Sequence, residues 1–246
     1  MTNELRTDRP GGITVITACV LGFLLGQVLA LMGDIVGVGL SHFPGGLDAL
    51  AHAGEAPWWS LLSSLLGLWI GMVGAIVYAS RRGAQYWQPH SFRTTGLGDV
   101  WYLVVGVVLQ GVIDAAYRPF HAHSLSGPVN HLFGDVHGVM FIVMALLSGI
   151  VAPVIEESFF RATMFRALSE EFVRYFPRRG VAGAVVVSSL LFGLAHAELV
   201  QLPGLVALGI ILAIVYQRTH RLLPSVLIHV GFNAVAVLDV LAHRMH

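Results

Sequence analysis

Three short strings carry side chains whose types and spacing suit hydrolysis. The first holds Glu156, Glu157 and Arg161, the second Phe192 and His196, and the third His229 and Asn233. Residues four apart on a helix share a face. On that geometry Glu157 meets Arg161 as an ion pair, while Glu156 is turned about 100° away. One carboxylate is then held and the other is left free to act. His229 and Asn233 share a face in the same way and present two hydrogen-bond donors side by side. A free carboxylate and a histidine on facing helices can hold a water and take its proton. Donors from a third helix can stabilise the oxyanion that forms. Glu156, His196 and His229 would serve equally as zinc ligands, with a fourth position open to water. The chemistry in view is hydrolysis driven by a carboxylate, with or without a metal.

The elements that must position these groups are membrane helices. Of 246 residues, 56% are hydrophobic and 11% charged, and the mean hydropathy is +0.75. Charge is too sparse to cover a soluble domain, for which about 25% is ordinary. Net charge is zero, which excludes a nucleic-acid binder read from charge, and a single cysteine, Cys19, excludes a disulfide scaffold. A spanning helix needs about 20 apolar residues. Seven segments qualify, at about Ile13–Gly33, Trp59–Ala79, Val100–Tyr117, His137–Glu157, Val181–Leu199, Gly204–Tyr216 and Leu223–Ala242, the sixth being short. Their apolar runs do not alternate with polar residues, so an outer-membrane barrel is excluded. The sequence predicts an all-α polytopic bundle of about seven transmembrane helices forming a single domain over 1–246. The chain reads as a multi-pass protein of the cell (plasma or inner) membrane whose surroundings are lipid.

Orientation follows from arginine, since the chain has no lysine. Arg6, Arg9, Arg81, Arg82, Arg93, Arg166, Arg174, Arg178, Arg179, Arg218 and Arg221 fall on one side of the predicted spans, and Arg118 and Arg244 on the other. The positive-inside rule places the N-terminus in the cytoplasm. The first span exceeds a signal h-region and reads as an uncleaved anchor. Gly22–Gly26, Gly33–Gly37 and Gly67–Gly71 stand at the small-xxx-small spacing that lets helices pack closely in lipid.

Charged groups inside a membrane cost about 2.5–3.5 kcal/mol each on insertion scales, so those retained usually mark function. Taken singly, each string has a plainer reading: charges at a helix end, or histidines bonding between helices. Taken together, on three separate spans, they require a shared polar interior. In order and spacing they resemble the motifs of the CPBP intramembrane protease family, which includes type II CAAX prenyl endopeptidases and bacteriocin-processing or immunity proteins. The likeness runs from about Pro153 to Asn233, within a core at about 137–242. The resemblance implies a membrane-embedded endopeptidase opening toward the cytoplasm, acting on membrane-associated peptides or proteins, lipidated ones among them. It assigns Glu156 and His196 to water activation and His229 and Asn233 to the oxyanion. Glu157, Arg161 and Phe192 then support the site, and the mechanism is metal-dependent or glutamate-dependent.

Other classes fit less well. A transporter would show paired halves with broken helices, and none are visible. A silent immunity or scaffold protein would be expected to lack Glu156 or His196. A retinal protein needs a lysine. The histidines at 121, 123, 131 and 137, with Asp135, read as a solvated loop rather than a metal site, and Cys19 reads as core. One difficulty stands: Glu156 falls near the cytoplasmic end of its own span, whereas His196 lies more than about 20 Å in at 1.5 Å per residue. Either the helix through Arg161 continues past the predicted boundary, or the fifth span starts below the surface. A kink at Pro153 would also alter the register.

Overall fold

A computed structural model describes residues 11–53, 56–82, 92–120, 133 and 136–244, and every regular element among them is helical. We number them α1 (Gly12–Ser41), α2 (Gly46–Ala51), α3 (Trp58–Arg81), α4 (Trp101–Tyr117), α5 (Gly138–Tyr175), α6 (Gly180–Leu194), α7 (Leu202–Thr219) and α8 (Leu222–Arg244). Among the described residues six helices are long and apolar enough to cross a membrane, α4 with its leading turn from Leu97 included. The protein is therefore a multi-pass integral membrane protein. The expected fifth span is the exception: α6 is a 15-residue helix that stops at Leu194, short of Leu199. The residues that follow carry His196 in a turn rather than on a helix.

The fourth span also departs from expectation, and the departure removes the depth conflict. Instead of ending at Glu157, α5 runs unbroken for 38 residues to Tyr175. Glu156 then lies about 27 Å from one end and about 28 Å from the other at 1.5 Å per residue. Two π-helical stretches interrupt its α-ladder, Leu147–Val151 and Ser158–Phe165. The first accounts for Pro153. The Ala152 N–H bonds back five residues to the Leu147 carbonyl. The same register assigns the Ser148 carbonyl to Pro153, which has no N–H to give. In the second stretch Thr163 Oγ1 donates to the Ser158 carbonyl at 2.9 Å, and Ser158 Oγ to the Val154 carbonyl at 2.7 Å. Hydroxyls here satisfy backbone groups that lipid could not.

This second stretch is the centre of the molecule. Residues 158 to 165 are all buried, because α1, α3, α6, α7 and α8 each pack against them. Glycines set how closely the outer helices approach. The α1–α3 pair meets along the expected glycines: a Cβ on Gly22 or Gly26 would strike the Gly71 or Gly67 carbonyl. Gly106 of α4 lies against Ile228 of α8, and Gly231 of α8 against Leu103 of α4. Asp34 accepts a hydrogen bond from Ser63 at 2.7 Å between α1 and α3. Arg221, just before α8, pairs with Asp99, just before α4, and so ties the starts of those two helices together.

Candidate active site

The two adjacent glutamates have opposite surroundings. Glu157 is fully buried, and its Oε1 accepts from Arg161 Nη1 at 2.8 Å and from His229 Nδ1 at 3.0 Å. Arg161 is equally buried; its Nη2 reaches the Gly209 carbonyl at 3.4 Å, and its guanidinium stacks over the Phe192 ring at 4.3 Å. A buried charge is tolerable only when paired and hydrogen-bonded; Glu157 meets that condition through Oε1, whereas its Oε2 has no hydrogen-bond partner. Glu156, turned away as the helical spacing predicts, keeps Oε2 without a hydrogen-bond partner, 3.8 Å from His229 Nε2.

Ring contacts bring the remaining residues in. Phe192 packs edge-on against His196 (4.9 Å between centroids) and His229 (5.5 Å). His196 Nδ1 is 2.8 Å from the Phe192 carbonyl. A carbonyl only accepts, so Nδ1 carries the proton and Nε2 of the neutral ring is an acceptor. The residue that follows, Ala197, takes the left-handed conformation (φ 55°), rare for a side chain with a Cβ. Asn233 Nδ2 donates to the Ser148 carbonyl at 3.1 Å, the carbonyl that Pro153 leaves without a backbone donor. Pro153 thus acts through the hydrogen-bond register, beyond any kink.

Glu156, His196, His229 and Asn233 line one cavity of about 190 Å³. All four sequence-selected catalytic candidates therefore converge on one space. Glu157, Arg161 and Phe192 form the layer behind them. Among the lining residues not singled out from the sequence are two amides, Gln110 of α4 and Gln201 before α7. Gln110 is buried; its Nε2 donates to Asp114 at 3.3 Å, and its Oε1 has no hydrogen-bond partner. An amide in mid-span was the available signal. His121, His123, His131 and Asp135 lie outside the described residues.

Among the described residues no three His, Cys, Asp or Glu side chains are grouped so as to hold one metal ion. Glu156 and His229 approach each other, but His196 does not complete a ligand set with them.

Comparison with known proteins agrees with the motifs. The type II CAAX prenyl endopeptidase Rce1-like family matches residues 138–235. Over this segment the chain is similar to CPBP-family proteases. The segment contains Glu156, Glu157, Arg161, Phe192, His196, His229 and Asn233. The chain is 34% identical over 96 residues to membrane peptidase YdiL of Bacillus subtilis and 35% identical over 91 residues to membrane-embedded CAAX protease MroQ of Staphylococcus aureus. These stretches cover 39% and 36% of this chain, and the chain spans about a third of each relative's length (36% in both cases). No solved structure matches.

Proposed function

We propose that the protein is an intramembrane endopeptidase of the CAAX-protease type, cleaving membrane-associated peptides or proteins by a glutamate-dependent mechanism. The observation that carries the reading is the free Glu156 carboxylate facing the same cavity as His196, His229 and Asn233. Glu156 holds a water and takes its proton as the water oxygen attacks the peptide carbonyl. His196 Nε2, an acceptor, orients that water. The carbonyl oxygen becomes an oxyanion and receives hydrogen bonds from Asn233 Nδ2 and His229 Nε2. Asn233 Nδ2 has two protons and spends one on Ser148, so a second remains for substrate. His229 already donates from Nδ1 to Glu157, so donation from Nε2 requires the doubly protonated ring, flanked by the two glutamates. The oxyanion then collapses to a carbonyl, the C–N bond breaks, and Glu156 passes its proton to the leaving amine, which returns Glu156 to its carboxylate form.

Glu157, Arg161 and Phe192 hold this constellation in place. A protein–substrate pair in a bacterial plasma membrane is the setting that the reading implies, and lipidated peptides are the first substrates to try. The test is cleavage of a fluorogenic, lipidated CAAX-type peptide in proteoliposomes. Glu156→Gln and His196→Ala are each expected to abolish turnover while remaining folded and inserted. Full activity in purified Glu156→Gln would overturn the mechanism. Activity retained after exhaustive chelation is expected; loss restored by zinc would replace the metal-free version.

A further inference from the structure

We infer that the cavity opens to the membrane face opposite the arginines, the extracytoplasmic face, so that its substrate is a peptide segment presented from that side. From the protease reading this takes only that a substrate enters the cavity. It differs from the cytoplasmic opening implied by family resemblance.

Each helix around the cavity gives the same direction independently. On α3 the lining residues are Leu61 and Leu65, near its start, while Arg81 and Arg82 mark its end. On α5 they are Ser148, Ala152 and Glu156, all before Arg161, while Arg174 lies at the far end. On α7 the lining begins at Gln201 and Leu205, and Arg218 closes the helix. On α8 the order inverts, as an antiparallel neighbour requires: Arg221 precedes the helix, and the lining extends through Asn233 to Val237. On α4, Gln110 lies in the second half, and the Asp99–Arg221 pair sits before the first. The cavity thus extends from the depth of Glu156 toward the arginine-poor ends of all five helices.

The other direction is shut. Phe159, Phe160, Phe165 and Phe192 are at most 2% exposed and stack ring to ring below Glu156, with Phe160 5.3 Å from Phe192 and Phe165 6.1 Å from Tyr216. The buried Glu157–Arg161 pair lies in the same layer. Lysine and arginine collect on the cytoplasmic side of membrane proteins. With the arginines there and an aromatic floor above them, the described residues leave access to the opposite face.

The experiment uses the full chain with Cys19→Ala, which removes its one thiol. Single cysteines are placed at Leu199, exposed in the segment after His196, and at Arg178, exposed between α5 and α6. A membrane-impermeant maleimide applied to spheroplasts is expected to label Leu199→Cys at least tenfold faster than Arg178→Cys, and inverted vesicles should reverse the ratio. Alkaline phosphatase fused after His246 is expected to be active and green fluorescent protein at the same place dark. The opposite labelling and fusion pattern overturns the inference. In proteoliposomes sorted by that labelling, the fluorogenic peptide should be cut only when added on the Leu199 side. Cleavage from the Arg178 side alone sinks the sidedness and leaves the protease reading intact. The expected topology with no more cleavage than Glu156→Gln from either side sinks the protease reading instead.

Discussion

The α1–α3 pair and the α5–α8 core are both made of apolar helices, yet different forces hold them. Between α1 and α3 the joint is mostly small residues and backbone: glycines at 22, 26, 67 and 71 bring the chains together, and Ser63 donates to Asp34 across it. The groove they leave, about 550 Å³, is lined by no carboxylate or imidazole. In the core the joint is Glu157 and Arg161, buried to 0% and 1% exposure and tied to α6, α7 and α8. Packing alone suffices to associate helices in lipid. A buried ion pair is weak support for stability when it could be replaced by apolar residues. Its presence in the core, beside a second carboxylate 3.8 Å from His229, accords with a need for fixed polar geometry.

That contrast can be broken at several points. The largest expected effect is on catalysis alone: Glu156→Gln should lower cleavage roughly 100- to 10,000-fold, the range for a positioned acid–base group, with thermal unfolding in detergent unchanged. Arg161→Met should act on the fold, since it strands the buried Glu157 carboxylate; unfolding in mild denaturant should show a loss of about 3–5 kcal/mol. Equal effects of these two changes on stability would erase the distinction between the neighbouring glutamates. Gly71→Leu should separate α1 from α3 and cost about 1–3 kcal/mol by overpacking, while the protein that stays folded keeps its turnover number. Pro153→Ala supplies an N–H that competes with Asn233 for the Ser148 carbonyl. Losing one hydrogen bond of about 0.5–1.5 kcal/mol should reduce turnover by up to about tenfold without lowering the melting temperature. The smallest effect is Ala197→Gly, which relieves a left-handed Cβ and should add about 1 kcal/mol of stability.

Much of the site was legible because helical spacing is local. The 157/161 pairing, the outward turn of Glu156 and the shared face of His229 and Asn233 all follow from a period of 3.6 residues. The depth of Glu156 was not legible, because α5 continues past Arg161, Arg166 and Glu170, where charge suggests that a span has ended. Those residues remain helical because α5 leaves the apolar layer as an amphipathic helix whose Ala167 and Leu168 stay buried. The stop of α6 at Leu194 was hidden for the opposite reason: Leu199 and Val200 are apolar yet lie in turns. Gln110 was passed over because a lone amide in a span has no motif around it. Only packing shows that its helix faces the cavity.

The two π-helical stretches of α5 have a consequence for chain length. A regular helix absorbs a deletion by turning everything beyond it through about 100°. Each π stretch already holds the slack of a longer turn, and the segment between them carries both glutamates. Removing one residue from 158–165 would let the ladder close as ordinary α-helix with little rotation of the amphipathic end, at the cost of the Thr163–Ser158 hydrogen bond. Removing one from 147–151 would carry Ser148 away from Asn233. In this helix a single-residue deletion should be tolerated better inside a π stretch than between the two, at 152–157, where it would turn the glutamates out of the site.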